Sequence, residues 1–223
     1  MFNPFRKRKI RDLGKNNQIC LLGNSKQNFL SGSNNSMKIS GDNNHVTFDN
    51  IKGFRKGRIR ICGNNNTVIM KSMVCGFLTL QIEADNCYVE IGNNVWFNGT
   101  EIFLHENNSK VIIGDKTMMA LETSLFCSDF HAITDLSGKP INQGREIIIG
   151  EHCWLGKGAK IMKNVALANN TIVGACSLVC KSCSEENVIL AGNPAKVVKR
   201  DVLWEYAKYD KQEQIYLQNK KDE

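Results

Sequence analysis

Proline is scarce in this sequence, with three residues in 223, and histidine is nearly as rare, with four. The first scarcity removes any proline-rich linker or polyproline segment, and the second leaves little material for imidazole-based metal chemistry. Apolar runs such as ICLL and III fall far short of the roughly 18 residues a membrane-spanning helix needs. The opening MFNPFRKRKIRDLG has a basic start but no apolar stretch behind it, which predicts no secretory signal. Nine cysteines without framework-like spacing point to reduced thiols and a cytoplasmic setting. Wholesale disorder is excluded by 42% hydrophobic and 23% charged residues, and the length suffices for a real core.

What the chain has in quantity is asparagine, 26 residues against 18 glycines. It also carries a formal charge of +7, of which +5 falls within the first fifteen residues. Arg6, Lys7, Arg8, Lys9, Arg11 and Lys15 make residues 1–15 a basic arm. Such an arm is either a solvated tail or a peripheral contact with an anionic membrane face or glycan. No aromatic interleaving or nucleic-acid motif accompanies it, so no nucleic-acid partner is expected.

From Ile149 the sequence keeps a period of six: IGEHCW, LGKGAK, IMKNVA, LANNTI, VGACSL, VCKSCS. Ile149, Leu155, Ile161, Leu167, Val173 and Val179 hold the first position, and small or β-branched residues from Cys153 to Cys183 hold the fifth. This period matches neither a helix nor simple alternation; it matches a short strand and a corner, repeated. Three hexads close one triangular turn, which stacks Ile149 on Leu167, Leu155 on Val173 and Ile161 on Val179. Asparagine tolerates positive φ, which suits it to the corners.

The beat extends upstream with slips. Ile91, Phe97 and Phe103 share one register, and Ile113, Met119 and Leu125 another. Ile39, Ile61, Ile82 and Leu104, spaced by 22, 21 and 22, mark wider coils of the same solenoid. A β-sandwich of hairpins on the Asn-rich turns is the alternative. Residues 130–147 leave the beat and read as a projecting loop, while 201–219 read as an amphipathic capping helix that starts at Asp201. The organisation expected is an arm over 1–15, a β-helix over 16–200 and a helix and tail over 201–223.

The hexads, the loop sequence SDFHAITD, the following IIIGEHCWLGKGAKI and the closing ILAGNPAKVVKR resemble the hexapeptide-repeat acyltransferases. The likeness is nearest to bacterial O-acetyltransferases of sugars and surface polysaccharides and covers roughly residues 84–204. It implies an all-β fold, a left-handed parallel β-helix, assembled as a homotrimer that uses acetyl-CoA and no metal. It further implies His131 as general base toward a carbohydrate hydroxyl, by direct transfer in a ternary complex. Trp154 matches a position that assists at the thioester or packs beside it, and either Asp129 or Asp135 orients the imidazole. The cofactor positions carried over are Lys157, Ala175, Cys180 and Lys181, with Lys196 and Lys199 near the phosphates. Cys180 departs from the threonine common there. An N-acetyltransferase for amino sugars and a non-catalytic scaffold remain open. The γ-type carbonic anhydrase chemistry of the same scaffold wants three zinc-binding histidines, which the four here are not spaced to provide. Cys180 and Cys183 form a CxxC, yet both sit in small-residue slots, and no second pair accompanies them.

Overall fold

The computed structural model describes residues 9–206 together with 211 and 215. Residues 9–206 hold twenty strands and one helix, Ser25–Ser31. All but one of the strand pairings are parallel, the exception being the hairpin of Ile189–Gly192 with Ala195–Lys199. Parallel pairing throughout the coils excludes the hairpin sandwich. The chain is a solenoid of three-sided coils.

The late coils show the triangle most simply. One face stacks Met118–Met119, Trp154–Leu155 and Ile172–Val173. The second stacks Thr123–Phe126, Lys160–Met162 and Leu178–Val179. The third stacks Lys110–Ile113, Glu146–Ile149 and Val165–Leu167. Ile149 pairs with Leu167, Leu155 with Val173 and Ile161 with Val179, in the stacking the hexads predict. The wider coils also register as expected: Ile39 on Ile61, Ile61 on Ile82, Ile82 on Leu104. These side chains are buried in one continuous core, each contributing about 1.5–3 kcal/mol by removal from water.

One register assignment shifts. Gly99 takes φ +128 inside the strand Val95–Leu104, and the pairing with Met73–Ile82 is irregular around Phe77 and Asn98. Phe97 pairs with Met119 but Ile102 with Leu125, so this corner is one residue shorter than the next; Ile102 turns inward and Phe103 lies on the outer surface opposite Phe126. A bulge moves every following side chain to the other face, which a count by sixes does not register.

Asparagine serves two kinds of position in the corners. It occupies eleven of the eighteen non-glycine positions with positive φ among the described residues. It also forms an internal ladder. The Asn17 side chain accepts from Asn44 N, Asn44 from Asn66 N and Asn66 from Cys87 N, at 2.8–3.0 Å. The corresponding Nδ2 groups donate to the carbonyls of Gly41, Gly63 and Ala84. Asn44 and Asn66 are buried, so these bonds satisfy backbone groups that the corners would otherwise leave unpaired.

The wide end of the solenoid is filled by the helix Ser25–Ser31. Its Phe29 packs with Phe48 and Phe54 at ring centroid distances of 5.9 and 5.4 Å. At the other end the expected helix does not begin at Asp201, which takes φ +59, and the chain stays non-helical through 206. Trp204 packs there instead, donating its indole N–H to the His152 carbonyl at 2.7 Å and stacking on the His152 ring at 4.8 Å. Lys211 and Ile215 are helical, and the rest of that expected helix lies outside the described residues, as do Arg6, Lys7 and Arg8 of the basic arm. Among the described residues no helix is long and apolar enough to cross a membrane.

Candidate active site

The irregular segment leaves the second face after Thr123–Phe126 and returns at Glu146, two residues earlier than the sequence suggests. Residues 130–141 are all exposed. The tip turns through Asp135, whose carboxylate accepts from Ser137 N, Ser137 Oγ and Lys139 N. The two limbs meet through Ile141 N and Ile133 O at 2.8 Å. At the base, Gly144 N donates to Glu106 Oε2 at 2.8 Å, and a Cβ at Gly144 would stand 1.9 Å from the Cys127 carbonyl oxygen. Only glycine permits that approach.

Asn142 ties the limbs together. Its Nδ2 donates to Asp129 Oδ2 at 2.8 Å and to the His131 carbonyl at 2.9 Å, while its Oδ1 accepts from Ile133 N at 2.8 Å. Lys163, from the turn after Lys160–Met162, reaches both the Asp129 carboxylate and the Asn142 carbonyl. The lysine beside it holds the Asp129 carboxyl below the usual carboxylate range. Asp129 is thus engaged by Asn142 and Lys163 and Asp135 by its own turn, and among the described residues neither bonds the His131 ring.

The His131 side chain is exposed and lines a cavity of about 430 Å³ with His105, Glu106, Ser128, Phe130 and Asn142. His105 follows directly after the strand Val95–Leu104. Its Nδ1 lies 3.7 Å from Glu83 Oε2, and its buried Nε2 has no hydrogen-bond partner among the described residues. Burial pushes its pKa down, against the pull of Glu83. Phe130, at φ +64, sets its ring 4.6 Å from His105 and edge-on to the stacked pair Phe103 and Phe126. The bulge at Gly99 created that aromatic wall by turning Phe103 outward.

A larger groove of about 960 Å³ runs along the corner before the second face, with Phe77, Leu121, Glu122, Gly158, Cys176 and Asn193 among its lining residues. Lys157 and Ala175 are exposed on the same corner turns, and Lys157 Nζ lies 3.6 Å from Glu122. Lys181 and Lys196 line a separate recess near the hairpin, and Cys180 and Lys199 are exposed nearby. Trp154 is on the first face, its ring 6.0 Å from Trp204. The fold therefore places His131 and Trp154 on adjoining faces of the prism and distributes the cofactor positions over the last two turns. The buried thiols are poor nucleophiles: burial pushes Cys127 up to about 12 and Cys153 up to about 11.

A family model described as bacterial transferase hexapeptide (six repeats) matches residues 146–181. A polysialic acid O-acetyltransferase of Neisseria meningitidis is 34% identical over 148 residues, 66% of this chain and 68% of that protein. A polysialic acid O-acetyltransferase of Escherichia coli O1:K1 is 37% identical over 106 residues, 47% of this chain, and the match spans only 34% of its length. The crystal structure of the polysialic acid O-acetyltransferase OatWY superposes with a TM-score of 0.66 at 30% identity, covering 90% of this chain and 92% of that one. By these matches, over a solenoid whose hexads stack in register, the chain belongs to the hexapeptide-repeat acetyltransferase family.

Proposed function

We propose that the protein is an acetyl-CoA-dependent O-acetyltransferase that acts on a hydroxyl of a sugar or surface polysaccharide. The observation that carries this reading is the position of His131: an exposed imidazole on a clasped loop, at the wall of a cavity, in a chain of this family. The names of the relatives support a polysaccharide acceptor, and polysialic acid is the acceptor class they suggest.

A sugar hydroxyl is a weak nucleophile at neutral pH, and an imidazole is suited to take its proton during attack. His131 accepts that proton as the acceptor oxygen bonds to the thioester carbonyl carbon. It returns the proton to the thiolate when the carbon–sulfur bond breaks. No covalent enzyme intermediate is needed. An N–H donor must meet the developing oxyanion, and the Trp154 indole is the candidate. In the homotrimer the resemblance implies, a site that unites Trp154 with the His131 loop is shared between two copies of the chain. The β-helix over residues 16–200, wound left-handed, is the platform.

Acetyl-CoA is expected along the corner turns of the last coils. Ala175 leaves room beside backbone donors, and Lys157 flanks it. Cys180 stands near the end of that path. Lys181, Lys196 and Lys199 are exposed cations without an ion pair among the described residues, fit for phosphate groups. Product analysis tests the reading: after incubation with acetyl-CoA and polysialic acid, mild alkali should release the transferred acetate. An alkali-stable amide would point to N-acetylation, and turnover absent across a broad glycan panel to a scaffold.

A further inference from the structure

Three consecutive coils at the wide end place a cation at the same outward position. Arg11 pairs in register with Lys38, and Lys38 with Arg60. Arg58 flanks the column two residues before Arg60, opposite Ser36. All four side chains are exposed. Neighbouring strands lie roughly 4.8 Å apart, and like charges directly opposite each other destabilise a sheet. Higher in the solenoid the same column continues as Gln81, Phe103, Phe126 and Met162, so the charge is confined to the first three coils.

Little within the protein offsets this stack. Arg11, Lys38 and Arg58 make no ion pair among the described residues, and only Arg60 approaches an acid, Glu83 at 3.4 Å. That contact also gives the column a direction. Glu83 leads to His105 at 3.7 Å, and His105 lines the cavity that holds His131. The cations thus end where the proposed chemistry begins, and the column turns apolar beside it. A single small anion would use one or two of these groups. A linear polymer with a carboxylate on each unit can meet them in succession.

We propose that Arg11, Lys38, Arg58 and Arg60 form a docking track for a linear, carboxylate-bearing polysaccharide, which presents one of its hydroxyls to the His131 cavity. The assignment rests on the carbohydrate acetyltransferase reading for the end of the track, not for the binding itself. Multivalent contact makes affinity depend on chain length and on salt.

The experiment measures binding of long polysialic acid and of its trimer by calorimetry, without acetyl-CoA, to the full chain and to an Arg11→Gln/Lys38→Gln/Arg60→Gln variant. The wild-type protein should bind the long chain more tightly than the trimer, and less tightly as salt rises. The triple variant should lose about tenfold for the long chain and little for the trimer. Should it fold poorly by circular dichroism, Lys38→Glu alone should still weaken long-chain binding. No binding by wild type, equal affinity for both lengths, or unchanged binding by the variants would overturn the track. Single-stranded DNA of matching charge that competes equally well would overturn the glycan assignment. Because no turnover is read, a His131→Ala protein that still binds the polymer separates failure of the chemistry from failure of the track.

Discussion

His105 Nδ1 stands 3.7 Å from the Glu83 carboxylate, while its Nε2 is enclosed beside the loop that carries His131, without a partner among the described residues. Burial keeps this imidazole neutral to lower pH than a free one, starting from 6.5. The unfolded chain then takes up a proton first, so stability is lost as pH falls below about 6.5 and is unaffected above it. Thermal midpoints from pH 8 to 5.5 should therefore bend downward in the wild type and less so in His105→Asn. An identical pH profile in both proteins would remove His105 from the effect.

Asn142 holds both limbs of the loop through three hydrogen bonds. Asn142→Ala should leave the thermal midpoint nearly unchanged, because the segment is exposed, but lower kcat about tenfold by loosening His131. Steady-state rates with melting curves check it. Equal activity in the variant would show that the loop keeps its shape without the clasp.

Trp204 closes the late end by one hydrogen bond and a stack on His152, and it is 7% exposed. Trp204→Ala should destabilise by about 3 kcal/mol, measured by denaturant unfolding, since the ring and its bond are lost together.

Ile161 pairs with Leu125 below and Val179 above and is fully buried. Ile161→Ala should cost about 3 kcal/mol by opening a cavity, and Ile161→Val about 1 kcal/mol. Similar costs at Lys160, whose side chain points outward in the same strand, would contradict the inward assignment of the hexads.

The coil stacking was legible in the sequence because one aliphatic side chain per face must point inward, and nothing else satisfies a period of six. Ile161 on Val179 could be written down from spacing alone. The irregular coils were legible only in outline: Ile39, Ile61 and Ile82 mark them, but the bulge that turns Phe103 outward depends on Gly99 taking a conformation that no spacing announces. The helix around Phe29 was invisible for a related reason. Seven residues carry too little periodicity, and that helix is held by Phe48 and Phe54 from other coils.

The site divides in the same way. His131 came from its place in an interruption of the repeat together with a resemblance. Asn142 did not, because its partners lie 9 to 13 residues away in a segment without period. For His105 the sequence leaves a structural place and the lining of an acceptor cleft both open, and the loop that folds over it puts it in the cavity wall. The cation column needed both the coil register and the exposure of each side chain, since Arg11, Lys38 and Arg60 are far apart in sequence.

The most direct measurement is the pH dependence of acetyl transfer from acetyl-CoA to polysialic acid by the wild-type protein and by His131→Ala. Wild-type kcat/KM should rise with pH, as general-base transfer requires, and His131→Ala should lose about 10²- to 10⁴-fold together with that inflection, while unfolding at the same midpoint. Undiminished transfer by a folded His131→Ala protein, with the inflection intact, would contradict the account.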